Sequence, residues 1–338
     1  MAGLEGEKIL LAHGDGGLLT HRLVSGLFLK YFGTHSRDIF NDSAVIDVPA
    51  GRLAFTTDSF VVSPVFFPGG DIGKLSVCGT VNDLAVAGAE PRYICASFIL
   101  EEGLEMSQLE RIVSSMAETA RAAGVRVVAG DTKVVERGQA DSVYINTSGI
   151  GFLPEGLCMG HERVTPGDVL IINGNIGDHG IAVLSRRPGV SFESPVESDC
   201  APLNHLTKGL LERFKTIKIM RDPTRGGLGT TVKEMALGCR LDIVMDEKRI
   251  PVRGEVAGAA DMLGLDPLYL ANEGKVVIIA GPGEGDQIVE HLRSHPLGSD
   301  SGIIGEVRQG SGDVYLKTAL GGTRLVDMLS GGQLPRIC

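Results

Sequence analysis

The chain lacks the excess of basic residues that a nucleic-acid or anionic-membrane surface needs. Its 32 Lys and Arg are outnumbered by 42 Asp and Glu, which gives a formal net charge of −10. Because such binding depends on clustered Lys and Arg, this balance argues against both partners. No run of apolar residues approaches the ~20 residues of a membrane span, and no apolar segment follows a basic start. We therefore expect a cytoplasmic protein that binds neither nucleic acid nor membrane.

Closely spaced cysteine pairs are also missing. The six cysteines, at positions 78, 95, 158, 200, 239 and 338, form no C-x-x-C pair. This spacing excludes a disulfide framework and a zinc ribbon. We expect the first five to pack as small hydrophobic residues. Cys338 differs because it is the last residue, and it is either a reactive thiol or an incidental chain end.

What the chain does have is enough apolar sequence for two domains. It contains 338 residues, 43% of them hydrophobic, and 47 glycines that imply many tight loops. Strand and helix patterns alternate in both halves, and the pattern breaks near residues 154–163. The sequence predicts an α/β (α+β) protein with domains at 1–154 and 155–322 and a mobile tail at 323–338.

The stretch from 56 to 91 carries the first candidate site. An apolar run ends at Asp58, the glycine-rich loop 68–73 (PGGDIG) follows, and a helical pattern then carries Asp83. Glycines have no Cβ to obstruct a ligand, and the N–H groups at a helix start suit phosphate. The candidate nucleotide contacts in this loop are Gly69, Gly70 and Asp71.

Acidic side chains beside a phosphate site imply a metal ion, since carboxylate and phosphate otherwise repel each other. Asp42 precedes an apolar strand and is a third candidate ligand beside Asp58 and Asp83. A donor set made only of oxygen suggests Mg²⁺. A single Asp more often caps or solvates an element, but several acidic loops in one chain favour a magnesium–nucleotide site.

Three later loops carry further candidate site residues. The strand 125–129 is expected to end in the loop GDTK, where Lys133 is either a triphosphate contact or a solvated lysine. The loop 222–227 (DPTRGG) gathers an acid, a hydroxyl, an arginine and two glycines at a helix start. Glu273 lies on a tight turn before a strand and is either a catalytic base or a solvated acid.

Two familiar nucleotide motifs are absent: Leu75 replaces the Ser or Thr of a Walker A loop, and no G-x-G-x-x-G follows a strand. Taken together, TTDSFVVSP, FFPGGDIGKLSVCGTVNDLAVAGA, GDTK, DPTRGGL, NEGK and the terminal PRIC resemble the HypE family of hydrogenase-maturation proteins. That family belongs to the superfamily of aminoimidazole ribonucleotide (AIR) synthetase, selenophosphate synthetase and thiamine-monophosphate kinase. The resemblance spans nearly the whole chain, and PRIC together with DPTRGG is its most specific part.

The resemblance implies an AIR synthetase-like fold. The N-terminal ATP-binding domain would pair its mixed sheet and helices with a second copy into a dimer barrel, and an α/β sandwich domain and a flexible tail would follow. ATP would bind near the subunit interface with Mg²⁺. The implied partners are a second copy of the chain, the carbamoyltransferase HypF and the HypC–HypD iron-assembly complex.

The loop patterns and the resemblance together assign candidate roles to the motif residues. The metal ligands would be Asp42, Asp58, Asp83 and Asp222. The catalytic residues would be Cys338, Glu273 as base, Lys133 and Arg225. The nucleotide-binding residues would be Asp131, Thr132, Lys133, Gly69, Gly70, Asp71, Thr224, Gly226 and Gly227.

The activity that the resemblance implies is the ATP-dependent dehydration of an S-carbamoyl group on Cys338 to a thiocyanate, which supplies cyanide ligands for the iron of [NiFe]-hydrogenase. Two alternatives stay open. One is a small-molecule kinase or ligase of the same superfamily, in which the tail is incidental. The other is a non-catalytic, ATP-dependent scaffold that docks iron through Cys338.

Overall fold

The computed structural model describes residues 8–14, 18–33, 51–190, 194–329 and 336–338. The two main β-sheets lie in different halves of the chain. The predicted ligand Asp42 lies outside the described residues. Among the described helices, none is long and apolar enough to cross a membrane.

The first half builds a four-stranded sheet with the strand order β1-β6-β4-β5. Only the β4–β5 pair is parallel, and a two-stranded hairpin, β2–β3, precedes the main helix. The helix α3 packs on one face of the sheet and contacts α4. The elements are α1 Leu18–Leu23, α2 Leu29–Phe32, β1 Leu53–Phe60, β2 Phe66–Phe67, β3 Gly70–Asp71, α3 Ile72–Val86, β4 Glu90–Glu101, α4 Met106–Ala123, β5 Arg126–Val135 and β6 Val143–Phe152.

The second half builds a seven-stranded sheet with the order β13-β12-β9-β11-β7-β10-β8. Its β12–β9 pair is parallel and the other pairs are antiparallel. The elements are β7 Val169–Ile172, α5 Asp178–Leu184, α6 Asn204–Arg213, β8 Ile217–Arg221, α7 Gly227–Cys239, β9 Asp242–Asp246, α8 Gly254–Leu263, β10 Val277–Ala280, α9 Gly285–Arg293, β11 Gly302–Arg308, β12 Val314–Lys317 and β13 Thr323–Val326. The two-domain α/β expectation is confirmed.

The first sheet has one buried face and one open face. Residues that pair across its four strands form rows, and the row Phe60, Ile145, Phe98 and Thr132 is buried. The adjacent row, Ser59, Asn146, Ser97 and Asp131, points the other way because strand side chains alternate. This open face also carries apolar side chains, with Phe55 64% exposed and Leu53 55% exposed.

Two boundaries differ from those expected from the sequence. The GDTK segment is not a loop, because β5 continues through it to Val135 and pairs in parallel with β4. Residues 323–326 are not tail, because they form β13 and pair with β12. In both cases the neighbouring strand supplies hydrogen bonds that local sequence does not reveal.

The expected packing of the first five cysteines is only partly correct. Cys78 and Cys200 are buried, as expected. Cys95 and Cys158 are exposed instead. Cys95 lies on the open face of the first sheet, in the row of Ser148, and Cys158 lies in the segment that connects β6 to β7.

Candidate active site

Three predicted metal ligands converge between the two domains. Asp58 lies on β1, Asp83 on α3, and Asp222 directly follows β8. Asp58 and Asp83 lie close enough to interact electrostatically, and Thr56 donates to Asp83 at 2.7 Å. Burial, and then Asp83, raise the pKa of Asp58 to about 6 and that of Asp222 to about 7. Carboxyl groups close enough to raise a neighbour's pKa are close enough to share a cation.

These carboxyl groups fit a divalent cation chemically, although they are not closed around one. Within the described residues, no group of three or more His, Cys, Asp or Glu is already arranged to hold a metal ion. The donors are oxygens only, and the repulsion that Asp83 exerts on Asp58 marks a place where a positive charge would be stabilised. Such a site suits Mg²⁺ whose remaining ligands are phosphate oxygens and water.

Removing the charge of Asp222 is expected to stabilise the nucleotide-free chain at high pH. The folded pKa of about 7 exceeds the ordinary carboxyl value, so the folded state binds this proton more tightly than the unfolded state does. The free energy of unfolding therefore falls as the pH rises from about 4 to about 7. We expect Asp222→Asn to raise the Tm by several degrees at pH 8 and by progressively less toward pH 5, measured by calorimetry without nucleotide or divalent cations.

The exposed Asp261 supplies the matched control for that measurement. Asp261→Asn makes the same chemical change on α8, and it should leave the dependence of Tm on pH unaltered. An Asp222→Asn gain that is equal at pH 5 and pH 8 would contradict the raised pKa.

The last three residues lie in the cleft of their own chain. The N–H groups of Val61 and Ser63 donate to the carbonyls of Cys338 and Arg336 at 3.0 and 3.2 Å. Arg336 forms an ion pair with Asp141 at 2.5 Å, and the Ile337 side chain is buried in the first core. The tail thus extends the edge of the N-terminal domain and carries its cysteine inward.

The Cys338 thiol lies beside the predicted base and the acidic residues. Burial, and then the nearby carboxyl groups of Glu273 and Asp58, raise the pKa of the thiol to about 12, while Arg225 acts in the opposite direction. A thiol in this position is protonated at neutral pH and is a poor nucleophile. The docked cleft therefore accommodates a neutral sulfur rather than a thiolate.

Glu273 is the predicted catalytic residue whose surroundings are most unusual. Its side chain is 2% exposed, and Oε1 has no hydrogen-bond partner among the described residues. Burial raises the pKa of Glu273 well above its ordinary value, and Cys200 and Asp199 add to the shift. A buried carboxyl group with a free oxygen is suited to accepting a proton from a ligand.

Asn82 and Asp199 hold the backbone of Glu273 in place, and no sequence motif assigned a role to either residue. The Asn82 amide donates to the carbonyls of Ala201 and Glu273 at 3.1 Å each, so it joins α3 to the second domain. Asp199 accepts from the N–H of Glu273 at 3.1 Å and from Lys275 Nζ at 2.9 Å. The only sequence signal for Asn82 was its position directly before Asp83.

The DPTRGG loop turns the chain sharply into α7. Gly226 and Gly227 both have positive φ angles, and a Cβ on Gly227 would lie 2.5 Å from the Leu268 carbonyl oxygen. The Gly227 N–H donates to Thr224 O at 3.0 Å. Arg225 is exposed, and it is close enough to Asp58 and Cys338 to act against the rise in the pKa of each. The glycines thus shape the turn, and Arg225 lies close enough to the Cys338 thiol to lower its pKa.

The glycine loop before α3 is occupied by the chain itself. The Asp71 carboxylate caps α3 by accepting from the N–H groups of Gly73 and Lys74 at 2.7 and 3.1 Å. A Cβ on Gly69 would lie 2.7 Å from the Ser198 nitrogen, and one on Gly70 would contact Phe67. The predicted phosphate-binding N–H groups of this helix are therefore already paired.

Asp131 and Lys133 are not brought to the acidic residues within one chain. Both are exposed, and they form an ion pair at 2.8 Å on the open face of the first sheet. Asp58 points to the opposite face, toward α3, where a Cβ on Gly79 would contact its carboxylate. Thr132 also faces the core, in the buried row, and is 9% exposed. Within one chain, the exposed side chains of the GDTK segment therefore lie on the face of the sheet opposite to the acidic residues.

Two family models cover most of the sequence. The N-terminal domain of AIR synthase related proteins matches residues 40–153, and the C-terminal domain matches residues 165–317. A carbamoyl dehydratase HypE of Rhizobium leguminosarum bv. viciae is 48% identical over 333 residues, which is 98% of this chain and 95% of that protein. The chain belongs to the HypE family.

Solved structures of other HypE proteins agree with this assignment. A crystal structure of the hydrogenase maturation protein HypE in complex with ATP has a TM-score of 0.93 at 47% identity, and covers 97% of this chain and 99% of that one. A HypE–HypF complex matches with a TM-score of 0.80 at 45% identity, over 91% of this chain and 99% of that one. The AIR synthetase-like fold is thus confirmed for a HypE chain.

Proposed function

We propose that this HypE chain is an ATP-dependent carbamoyl dehydratase that acts on its own terminal cysteine in hydrogenase maturation. The observation that carries the proposal is the docked tail, which brings the Cys338 thiol beside Glu273, Asp58 and Arg225. A similar HypE protein carries the name carbamoyl dehydratase, and another was crystallised with ATP. The docked tail and these names support the same activity.

The proposed reaction converts Cys338–S–C(O)NH₂ and ATP into Cys338–S–C≡N, ADP and phosphate. The amide oxygen is a poor leaving group, so it first attacks the γ-phosphorus and displaces ADP. The carbon–oxygen bond then breaks, the oxygen leaves as part of phosphate, and the nitrogen gives up both protons. Because the S-carbamoyl group is neutral, it suits a cleft in which carboxyl groups disfavour a thiolate.

Glu273 is the proposed acceptor of a nitrogen proton. Its unpaired Oε1 and its raised pKa favour proton uptake, and its backbone is fixed by Asn82 and Asp199. Arg225 is placed to offset negative charge near the sulfur. Burial of the site excludes water, which would otherwise compete for the phosphoryl group.

Mg²⁺ is the proposed cofactor, with Asp58, Asp83, Asp222 and the undescribed Asp42 as its ligands. Bound there, it would offset the charge of the transferring phosphoryl group. Thr224, Gly226 and Gly227 are proposed nucleotide contacts because their turn borders Asp222 and Arg225. Gly69, Gly70 and Asp71 are proposed to shape that side of the cleft, since their polar groups are already occupied.

A second copy of the chain is the proposed cover of the open sheet face. Phe55, Leu53 and Ile99 are 64%, 55% and 43% exposed there, which is unusual for strand residues of a stable domain. Pairing through this face would place Asp131 and Lys133 at the subunit interface. Such a homodimer, HypF as the donor of the carbamoyl group, and HypC–HypD as the acceptor of cyanide are the proposed partners in the cytoplasm.

The two rival functions make less use of the docked tail. A small-molecule kinase or ligase has no need to bury its own last three residues in the cleft, and should survive removal of residues 333–338. A scaffold that docks iron through Cys338 would bind iron and would need no carbamoyl donor.

Intact mass of the chain tests the proposed reaction. After incubation with a carbamoyltransferase, carbamoyl phosphate and ATP, we expect the Cys338 peptide to gain about 43 Da, and to lose about 18 Da when Mg·ATP is supplied in a second stage. Cys338→Ala should show neither change while still binding ATP. An adduct on a different residue, or a carbamoyl adduct that ATP leaves unchanged, would refute the proposal.

A further inference from the structure

His179 is a buried residue in direct contact with the tail, and no sequence motif assigned it a role. It is the second residue of α5, and its side chain has no exposed surface. Its Nε2 lies 2.8 Å from the carbonyl oxygen of Ile337, the residue before the terminal cysteine. Its Nδ1 lies 2.8 Å from the hydroxyl of Ser198.

The hydrogen-bond partners fix which nitrogen carries the proton. The Ile337 carbonyl can only accept, so Nε2 carries a hydrogen and donates it. Ser198 Oγ accepts from the Cys200 N–H at 3.1 Å, which leaves its own hydrogen free to be donated to Nδ1. The result is one directed chain from Cys200 through Ser198 and His179 to the tail.

This chain completes a clamp between the domains. On one side the N–H groups of Val61 and Ser63 bind the tail carbonyls on either side of Ile337. On the other side His179 binds the carbonyl of Ile337 itself. A tail held at three successive carbonyls has little freedom left, so the position of the Cys338 sulfur follows from them.

We propose that His179 is a positioning residue that, oriented by Ser198, holds the Ile337 carbonyl and thereby sets Cys338 beside Glu273. The proposal rests on the dehydratase function for its purpose, but the docking itself is independent of the reaction. His179 does not touch the reacting atoms. It acts through the backbone of the tail, so its loss should hinder dehydration and favour every process that needs the tail outside the cleft.

Alkylation of the isolated chain by N-ethylmaleimide measures that docking directly. The rate at the Cys338 peptide is compared with the rate at the exposed Cys158 of the same chain, which serves as an internal reference. We expect His179→Phe, which keeps a ring but loses the donor, to raise this ratio about tenfold, since a buried carbonyl is left unpaired. His179→Gln, which restores a donor of similar reach, should recover much of the protection.

Two further variants keep the test decisive. Ser198→Ala retains the ring but loses the group that orients it, and should raise the ratio by a smaller factor even if His179→Phe folds poorly. His291→Phe makes the same change at a histidine that contacts Phe214 and not the tail, and should have no effect. The proposal would be overturned if the wild-type chain were alkylated as fast at Cys338 as at Cys158. It would also be overturned if His179→Phe raised the alkylation rate equally at all cysteines.

Enzymatic rates separate positioning from general destabilisation. In His179→Phe, dehydration of the pre-carbamoylated chain should slow several-fold while carbamoylation by the transferase is unchanged or faster. A merely structural role would slow both and would overturn the proposal. If the alkylation results are as expected but the wild-type carbamoyl adduct is never dehydrated, the proposed function fails and the positioning role stands.

Discussion

Glu273→Gln is expected to lower the rate of dehydration by roughly 10²- to 10⁴-fold, the usual contribution of a general base. The substitution keeps the size of the side chain and the backbone contacts to Asn82 and Asp199, and removes only the ability to take up a proton. The measurement is the single-turnover dehydration of the whole chain, carbamoylated beforehand at Cys338, at saturating Mg·ATP. Carbamoylation of the variant should proceed normally, because loading does not require this carboxyl group.

The pH dependence gives the same residue a second test. Burial raises the pKa of Glu273 well above the usual carboxyl range, and a base acts only when it has lost its own proton. The rate of dehydration should therefore increase with pH in the wild-type chain, and this increase should be lost in Glu273→Gln. A variant with the wild-type rate and the wild-type pH profile would remove Glu273 from the reaction.

The acidic centre was predictable because each of its members follows a local rule. Asp58 lies on a strand, Asp83 on the helix that packs on the same sheet, and Asp222 directly after another strand. Such positions lie at edges where loops meet, and a glycine-rich chain lets them meet closely. What the sequence did not reveal is that Asp58, from the first domain, lies close enough to Asp222 of the second domain to raise the pKa of Asp222.

The sequence did not reveal two features of these loops, because the contacts that cause them are made by residues far away in the sequence. GDTK is a strand because β4 offers parallel partners, so that Ser97 pairs with Asp131 and Ile99 with Lys133. The loop at Gly69 is closed because the Ser198 N–H donates to Pro68 O at 2.9 Å. Neither contact can be predicted from the local pattern of glycine and charged residues.

Asn82 and His179 were missed for the same reason. The contact between Asn82 and Glu273 joins residues 191 positions apart, and that between His179 and Ile337 joins residues 158 apart. A lone Asn on a helix or a lone His beside a glycine is usually structural. Their roles become visible only when the two domains and the tail are assembled.

Two inactive chains are expected to restore activity when they pair, if Lys133 serves the cleft of the neighbouring subunit. Lys133 lies on the open face of the first sheet, and Asp58 lies on the opposite face three strands away, roughly 14 Å at the usual strand spacing. Lys133→Ala alone should lower dehydration at least about a hundredfold, since it removes a cation from the transferring phosphoryl group. Co-expressing it with Cys338→Ala, under two affinity tags, yields a mixed dimer with one complete site.

That mixed dimer should turn over at about half the wild-type rate per dimer, because one of its two symmetric sites combines an intact tail with an intact Lys133. The matched control pairs Cys338→Ala with Glu273→Gln. Cys338 lies near Glu273 of its own chain. One site of that dimer therefore lacks the cysteine and the other lacks the base, so the dimer should stay inactive. Activity in the control, or none in the Lys133 pair, would contradict this division of the site between subunits. The expected pattern would mean that a HypE monomer carries the cysteine, the base and the acidic residues but lacks a cation for the phosphate, so that dimerisation itself completes the site.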